Sequence, residues 1–261
     1  SDRDIVSYYR SLNDFKGSKK LNKKLLEVIS NYVPDVLVLG HADLIKIETL
    51  HYIKQNYPSI KMCQWFLDRM DGEWANNKNR FLDKIEFMDV SFCTTDPKNL
   101  NFNKKHKIHF MPNPVDSSFE TLNNFKNKSF NSDVFFAMSH GVHRGVLKKG
   151  KFDERENFIN KLIKKTPNVR YDLYGMNNKQ PIWADDYLLA ISQSKIGLNL
   201  SQGKSTKLYS SDRFSQLIGN GLLVMIDENT KIGNFFNNDE IVLYRNVNDL
   251  SEKIIKYSND N

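Results

Sequence analysis

The sequence predicts an α/β protein built from two doubly wound domains with parallel sheets. Short apolar runs of strand length alternate along the chain with longer segments in which apolar residues recur at helical spacing. Strands separated by helices are joined by right-handed crossovers and therefore lie parallel in their sheet. A polar stretch near the middle interrupts the alternation, which then starts again, and this indicates two domains.

The first part of the chain carries three predicted helices and four predicted strands. Apolar residues at helical spacing and a following Pro34 mark the first helix. A continuous apolar run that ends at Gly40 is typical of a strand buried on both faces. A doubly wound domain normally opens with a strand, so we expect an abbreviated N-terminal domain. The predicted helices are 21–32, 43–56 and 80–88, and the predicted strands are 35–40, 60–66, 90–94 and 107–111.

The second part repeats the alternation more completely. We place the N-terminal domain at 1–122, a linker rich in Asn, Lys and Ser at 123–132, and the C-terminal domain at 133–261. In such sheets, ligands bind outside the carboxyl ends of the strands. The predicted strands are 133–139, 169–174, 196–200, 222–226 and 241–244, and the predicted helices are 154–165, 185–194, 213–219 and 247–257, with a helical turn at 232–236.

Composition excludes several classes of protein. Hydrophobic residues make up 39% of the chain and aromatic residues 12%, which is enough to build cores and argues against global disorder. No apolar run approaches the roughly 20 residues that span a bilayer, and the N-terminus has no signal-peptide pattern, so we expect a cytoplasmic protein. Cys63 and Cys93 lie in apolar runs and are expected to be buried free thiols.

The formal net charge is +7, with lysines in several clusters. Such a surface can simply be solvated, or it can attract a phosphorylated ligand, the inner face of an anionic membrane or a nucleic acid. Nothing resembles a nucleic-acid module, so we expect no nucleic-acid partner, and peripheral membrane contact stays open.

Three loops of the second part follow strands and are candidates for binding an anionic ligand. The first runs from Ser139 to Gly145, the second contains Tyr174 and Gly175, and the third extends from 199 into the helix at Arg213. Glycines allow the backbone to approach a ligand, and cationic side chains can neutralise a diphosphate. The first two loops can equally be ordinary turns, whereas in the third the convergence of cationic and hydroxyl groups favours anion binding by Lys207 and Arg213. The candidate residues are Ser139, His140, Gly141, Arg144, Tyr174, Gly175, Ser201, Lys204, Lys207 and Arg213.

These segments resemble the C-terminal domain of group 1 glycosyltransferases of the GT-B fold, and are most similar to the spore-maturation subgroup. The resemblance rests on strand 134–139 with its loop, the strand end at 172–175 and the block 196–257. In the first half it rests on 112–116, which looks like the interdomain Pro-Asn-x-Val-Asp of the family. It implies two Rossmann-like domains that face a cleft, and a hexosyltransferase-like activity that moves a sugar from a nucleotide donor to a glycan, lipid or other hydroxyl acceptor. It also implies retention of configuration.

The helix that begins at Arg213 departs from the family pattern at one position. Many relatives carry a Glu that hydrogen-bonds the ribose hydroxyls where this chain has Gln216. Gln can still accept one hydrogen bond and donate another, but the charge is lost. A catalytically degenerate protein that binds a nucleotide or glycan without turnover is therefore the alternative. The only Asp-x-Asp in the sequence, Asp2-Arg3-Asp4, lies ahead of the first predicted helix and follows no predicted strand. We expect neither a metal nor a cofactor beyond the nucleotide-sugar substrate, with Arg213 stabilising the leaving diphosphate.

Polar residues also follow two predicted strands of the first part. His41 and Asp68 are candidates for a general base that acts on an acceptor hydroxyl. Trp74 and Asp71 are candidates for acceptor binding, since an indole can stack on a sugar ring. The alternatives are a capping or solvated role for His41, and turn chemistry or an ion pair with Arg69 for the two aspartates.

Overall fold

The computed structural model describes residues 6–139 and 153–260. The chain divides into two compact units, Ser1–Pro112 and Asn113–Asn261. No helix within the described residues is both long and apolar enough to cross a membrane.

The first unit is a four-stranded parallel sheet with helices packed on one face. The strands are β1 (Val36–Gly40), β2 (Lys61–Phe66), β3 (Val90–Cys93) and β4 (Ile108–Phe110), and the helices are α1 (Ser18–Tyr32), α2 (Ile47–Asn56) and α3 (Ala75–Leu82). The sheet order is β1-β2-β3-β4, with every pair parallel. Residues of α1, α2, β1 and β2 share one apolar cluster, which includes Ile29, Leu39, Leu50 and Met62.

The opposite face of this sheet is incompletely covered. Val36 and Val38 point to that face, and they are 53% and 62% exposed at the edge of the sheet. Cys63, the register partner of Val38, is only half-buried, and so are Trp65 and Phe92, which pair with each other on the same face. Wholly parallel sheets are nearly always covered on both faces, so this apolar strip is unusual.

The second unit is a five-stranded parallel sheet with the order β6-β5-β7-β8-β9. The strands are β5 (Ser132–Ala137), β6 (Tyr171–Tyr174), β7 (Ser194–Asn199), β8 (Leu223–Asp227) and β9 (Val242–Tyr244), and the helices are α4 (Glu154–Lys165), α5 (Ala184–Ser192), α6 (Arg213–Gly219) and α7 (Val247–Asn259). The chain runs from β5 outward to β6, then crosses back to β7 on the other side of β5. The order therefore reverses between β5 and β7, and this crevice is where doubly wound sheets bind ligands.

Both faces of the second sheet are covered. One apolar cluster joins β5, β7 and β9 to α4 and α7 through residues such as Phe136, Ile159 and Ile254. The other joins the sheet to α5 and α6 through Ile191 and Leu217, among others. Burial on both faces explains why these strands are continuous apolar runs in the sequence.

Most predicted elements are present with bounds within a few residues. The helix expected at 43–56 begins at Ile47, and the helix expected at 80–88 is α3, which ends at Leu82 and is followed by a 3₁₀ turn, Ile85–Phe87. The segment 123–132, predicted as a linker, lies inside the second unit. Asn124 is buried there and donates side-chain hydrogen bonds to the carbonyls of Ile191 (2.6 Å) and Ser194 (3.0 Å). The observed division between the units falls at Pro112, ten residues before the predicted end of the first domain.

Candidate functional site

Helix α6 is held very close to the sheet beside the β5/β7 crevice. A Cβ placed on Gly197 of β7 would lie 2.9 Å from a methyl group of Leu217, so the glycine lets the helix pack here without displacing that side chain. Leu217 and Phe214 bury the inner side of α6 in the second core cluster. This packing fixes the first residue of the helix, Arg213, at the crevice.

The Arg213 guanidinium lies above the ring of Phe136, with 5.0 Å between Cζ and the ring centroid. Its Nη1 donates two long hydrogen bonds, to the carbonyl oxygen of Leu200 (3.2 Å) and to Oγ of Ser211 (3.3 Å). Burial of the guanidinium lowers its pKa, and the nearby charge of Arg155 lowers that pKa further. Within the described residues no carboxylate lies within ion-pairing distance of Arg213. The crevice therefore contains a desolvated cation, and an anionic ligand would offset its charge.

A cavity of about 410 Å³ opens beside this guanidinium, and we call it the Tyr187 cavity. Its walls come from the end of β5, the segment before α5 and the exposed side of α6. The Tyr187 hydroxyl is buried and has no hydrogen-bond partner among the described residues. Desolvation raises the pKa of Tyr187 to about 12, so this hydroxyl stays neutral and can donate a hydrogen bond. The lining residues are Ala137, Met138, Ser139, Pro181, Ile182, Trp183, Ala184, Tyr187, Asp212, Arg213 and Gln216.

A second cavity, of about 580 Å³, lies along the ends of β7, β8 and β9 and the start of α4. We call it the Tyr244 cavity. Tyr244 is 2% exposed, and its hydroxyl also lacks a hydrogen-bond partner in the described part of the chain. The lining residues are Glu154, Arg155, Phe158, Leu200, Ser201, Gly203, Lys204, Ser205, Asp227, Asn229, Tyr244, Arg245 and Asn246.

The predicted donor-site residues therefore fall into separate groups. Ser139, Arg213 and Gln216 line the Tyr187 cavity, whereas Ser201 and Lys204 line the Tyr244 cavity. His140, Gly141 and Arg144 lie outside the described residues. Lys207 is exposed and is not part of the wall of either cavity.

Tyr174 and Gly175 lie at the end of β6, outside both cavities. The Tyr174 hydroxyl donates to Asp172 (3.1 Å), and Lys179 covers its ring at 3.6 Å. Gly175 has φ +76°, and a Cβ there would lie 1.7 Å from the carbonyl oxygen of Met138. Gly175 is therefore needed for the turn itself, which is the alternative that the sequence left open.

In the first unit, polar side chains cluster at the carboxyl ends of β1 and β2. Arg80 donates to Asp43 (2.7 Å, Nη2 to Oδ2) and to Asp68 (3.2 Å, Nη1 to Oδ2), and its Nη2 contacts Nε2 of His41. The His41 ring stacks on Phe66, with 5.5 Å between centroids. Although burial alone would lower the pKa of Arg80, the hydrogen bonds and charges of the two aspartates raise it.

This cluster places His41 and Asp68 together but gives them different chemistry. A guanidinium always donates, so a neutral imidazole accepts from Arg80 through Nε2, which also lies 3.4 Å from Oδ2 of Asp68. The lone pair that a general base needs is thus already engaged. Asp68 accepts through Oδ2, and within the described residues its Oδ1 has no hydrogen-bond donor.

Asp71 and Trp74, the predicted acceptor-binding residues, both contact Arg69. The buried Arg69 donates two hydrogen bonds to the carboxylate of Asp71 (2.5 and 2.9 Å) and lies 4.4 Å from the Trp74 ring. One face of the indole is therefore covered by a cation. The ion pair that the sequence left as an alternative for Asp71 is present.

Sequence reasoning did not single out Asp43, Arg80, Tyr187 or Tyr244. Asp43 and Arg80 lie 37 positions apart, and no local pattern shows that they pair. The spacing of the two tyrosines is that of ordinary core residues. Only the structure shows that their hydroxyls are buried without a hydrogen-bond partner in the described part of the chain.

The family-model match to known proteins lies in the second unit. Residues 154–261 match a family model described as "Glycosyl transferase-like". This match covers less than half of the chain. No curated protein sequence is significantly similar to this chain.

Two solved structures show the fold. The N-terminal domain of trehalose-6-phosphate phosphatase from Candida albicans has a TM-score of 0.55 at 9% identity, over 98% of this chain and 71% of that chain. The α,α-trehalose-phosphate synthase (UDP-forming) from Burkholderia xenovorans, solved with glucose-6-phosphate, has a TM-score of 0.55 at 8% identity, over 96% and 72%. The chain therefore has the α/β fold with parallel sheets of the GT-B glycosyltransferases, as the sequence predicted. At these identities the likeness extends to the fold alone.

Proposed function

We propose that this chain, whose residues 154–261 form a glycosyl transferase-like domain, transfers a sugar from a nucleotide-sugar donor to a hydroxyl group of a glycan or lipid acceptor. In this proposal the second unit binds the donor and the first unit binds the acceptor.

The desolvated cation Arg213 is the observation that carries the proposal. It lies at the β5/β7 crevice, it has no carboxylate partner in the described ranges, and it faces a cavity large enough for a nucleoside. A diphosphate gains negative charge as it leaves the sugar, so a fixed cation at this place stabilises the transition state more than the ground state. We propose that Arg213 performs this role without a metal ion. Gln216, on the same cavity wall, is suited to the ribose hydroxyls.

For the acceptor we propose that Asp68, rather than His41, receives the hydrogen bond of the attacking hydroxyl. Oδ1 of Asp68 is available, whereas the Nε2 lone pair of His41 accepts from Arg80. In the transfer, the C1–O bond to the diphosphate breaks and a bond from C1 to the acceptor oxygen forms. If the leaving diphosphate takes the acceptor proton, configuration is retained, as the family resemblance implies; if Asp68 takes it, configuration is inverted.

A binding protein without turnover is the second candidate. Two observations favour it: Gln216 is neutral where many relatives have a carboxylate, and the imidazole of His41 is engaged by Arg80. Both leave ligand binding intact and weaken the case for catalysis.

A panel of nucleotide sugars tests the proposal. We expect one nucleoside diphosphate and its sugar ester to raise the melting temperature, and the ester to be hydrolysed slowly or transferred to an added acceptor. Loss of hydrolysis in Arg213→Ala would support the enzyme, and the anomeric proton coupling of the product, measured by NMR, gives the stereochemistry. A melting shift without turnover across several acceptors would favour the binding protein. If no nucleotide shifts the melting temperature, the donor-site proposal fails.

A further inference from the structure

The Tyr244 cavity combines polar side chains with apolar and aromatic walls, and the roles proposed for Arg213 and Gln216 do not involve it. It lies at the carboxyl ends of three strands, where the last residues of β8 and β9 meet the residues that follow β7. Asp227 and Tyr244 are register partners in β8 and β9, so their side chains emerge next to each other at the floor of the cavity. The ring of Phe158 lies 6.4 Å from that of Tyr244 and adds an aromatic wall.

The Tyr244 hydroxyl is the strongest sign that something binds here. It is fully buried and has no hydrogen-bond partner among residues 6–139 and 153–260, although a buried hydroxyl is normally satisfied. Desolvation and the nearby charge of Asp227 both raise the pKa of Tyr244, so the hydroxyl keeps its proton and remains a donor. The Asp227 carboxylate is held in place by hydrogen bonds from Oγ of Ser205 (2.6 Å) and the backbone and side-chain nitrogens of Asn229 (2.8 and 2.9 Å).

The charges around the cavity nearly cancel. Arg155 is paired with Asp153 (2.7 Å), and Arg245 lies 3.6 Å from Asp249. Lys204 is balanced by the carboxylates of Glu154 and Asp227 on the same walls. A polyanion would gain little from such a surface, whereas an uncharged group with many hydroxyls matches its mixture of amide, hydroxyl, carboxylate and aromatic groups.

Arg213 connects the two cavities. Its guanidinium faces the Tyr187 cavity, and its Nη1 donates to the carbonyl oxygen of Leu200, whose residue lines the Tyr244 cavity. A diphosphate bound by this guanidinium would therefore lie beside the Tyr187 cavity and near the Leu200 wall of the Tyr244 cavity.

We propose that the Tyr244 cavity binds the sugar of the donor, while the diphosphate lies on Arg213 and the nucleoside occupies the Tyr187 cavity. This inference rests on the proposed function, and it assigns Tyr244 as a residue that recognises a sugar hydroxyl.

Calorimetry on the full chain tests the proposal with UDP, GDP and ADP and with UDP-glucose, UDP-N-acetylglucosamine, GDP-mannose and ADP-glucose. Tyr244→Phe removes one hydroxyl and leaves the ring. We expect its Kd for the nucleoside diphosphate to match that of the wild type, and its Kd for the corresponding sugar ester to rise about five- to tenfold, as for the loss of one hydrogen bond. Ser201→Phe, which fills the cavity, should remove whatever affinity the sugar adds.

Tyr171→Phe is the matched control. It removes a half-buried hydroxyl of the same unit, which bonds to Oγ1 of Thr166 (2.6 Å) away from both cavities, and should leave both Kd values unchanged. If Tyr244→Phe changes the Kd values of the diphosphate and its ester equally, or changes neither, the sugar subsite is overturned while the proposed function stands. If the wild type binds no nucleotide, the proposed function and the subsite both fall.

Discussion

Replacing Arg213 by Met should separate ligand binding from stability. The wild-type guanidinium makes two long hydrogen bonds, to Leu200 and Ser211, each contributing about 1 kcal/mol at most, and its desolvated contact with the Phe136 ring contributes about 2 kcal/mol. Burying an ion without a partner costs a comparable amount or more, and this is the effect that lowers its pKa. Met fills a similar volume without a charge. We therefore expect the free energy of unfolding of the unliganded variant to stay within about 1 kcal/mol of the wild type.

Binding should change much more. Charge-assisted hydrogen bonds contribute about 1.5–3 kcal/mol each, so losing Arg213 should cost about 2.7 kcal/mol and raise the Kd of a nucleoside diphosphate about 100-fold. At a ligand concentration of about 100 times the wild-type Kd, the wild type gains about 2.7 kcal/mol of stability from the ligand. At that concentration the variant is near its own Kd and should gain about 0.4 kcal/mol.

Denaturant unfolding with and without the nucleotide measures both quantities on one sample. Arg170→Met is the control, because Arg170 is an exposed arginine of the second unit that pairs with Asp133 and lines neither cavity. This variant should have a lower free energy of unfolding, because Asp133 loses its hydrogen-bond donor. It should still gain the full stabilisation from the nucleotide.

The reverse pattern would refute the reasoning. If Arg213→Met loses 3 kcal/mol or more without ligand and still responds fully to the nucleotide, Arg213 is a structural residue. The β5/β7 crevice would then not be the diphosphate site.

Three further outcomes follow from the geometry. Gly175→Ala should lower the free energy of unfolding by about 3 kcal/mol in denaturant titration, since the added Cβ meets a backbone oxygen at 1.7 Å and φ is +76°; an unchanged midpoint would contradict this. Asp68→Asn should abolish transfer to an acceptor if Asp68 takes the proton, and should only slow it if the leaving diphosphate does; in both cases the Kd of the nucleotide stays the same, whereas a parallel loss of transfer and binding would point to damage in the fold. Burial raises the pKa of Asp133, but the hydrogen bonds and charge of Arg170 outweigh this and bring the pKa below 3.8. The ionised Asp133 therefore adds to the free energy of unfolding above about pH 4, and this addition is lost as the pH falls through the folded-state pKa. Arg170→Gln should accordingly make the free energy of unfolding, measured in denaturant, fall less steeply below pH 4.

The sequence was sufficient to predict the fold because both halves of the alternation are strongly patterned. Helix α4 begins after the capping Asp153 and has the predicted bounds, Glu154–Lys165. Helix α3 was predicted too late, because its first turns are rich in Asn and exposed, and only Phe81 is buried. Propensity gave no signal there, and tertiary packing of one aromatic ring decides the helix.

The candidate site was predictable in part. Arg213 and Gln216 lie at the edge of the sheet, as the sequence predicted, because they stand at the start of a helix that follows a strand; their roles in donor binding stay predictions. The separation of Ser201 from Ser139 into two cavities was not predictable, because it depends on the strand order that puts β5 between β6 and β7. The pairing of Arg80 with Asp43 was missed for the same reason, since side-chain contacts across a sheet edge leave no periodic trace.

The exposed valines of β1 have a practical consequence for handling the protein. Val36 and Val38 form an apolar strip on an edge strand whose outer backbone groups are not paired within the described sheet. Edges of this kind recruit other strands, and apolar strips bind detergents and dyes. Purified chain should therefore self-associate as its concentration rises, and Val38→Lys should delay that association without touching either cavity, which makes it a suitable background for all the binding measurements above.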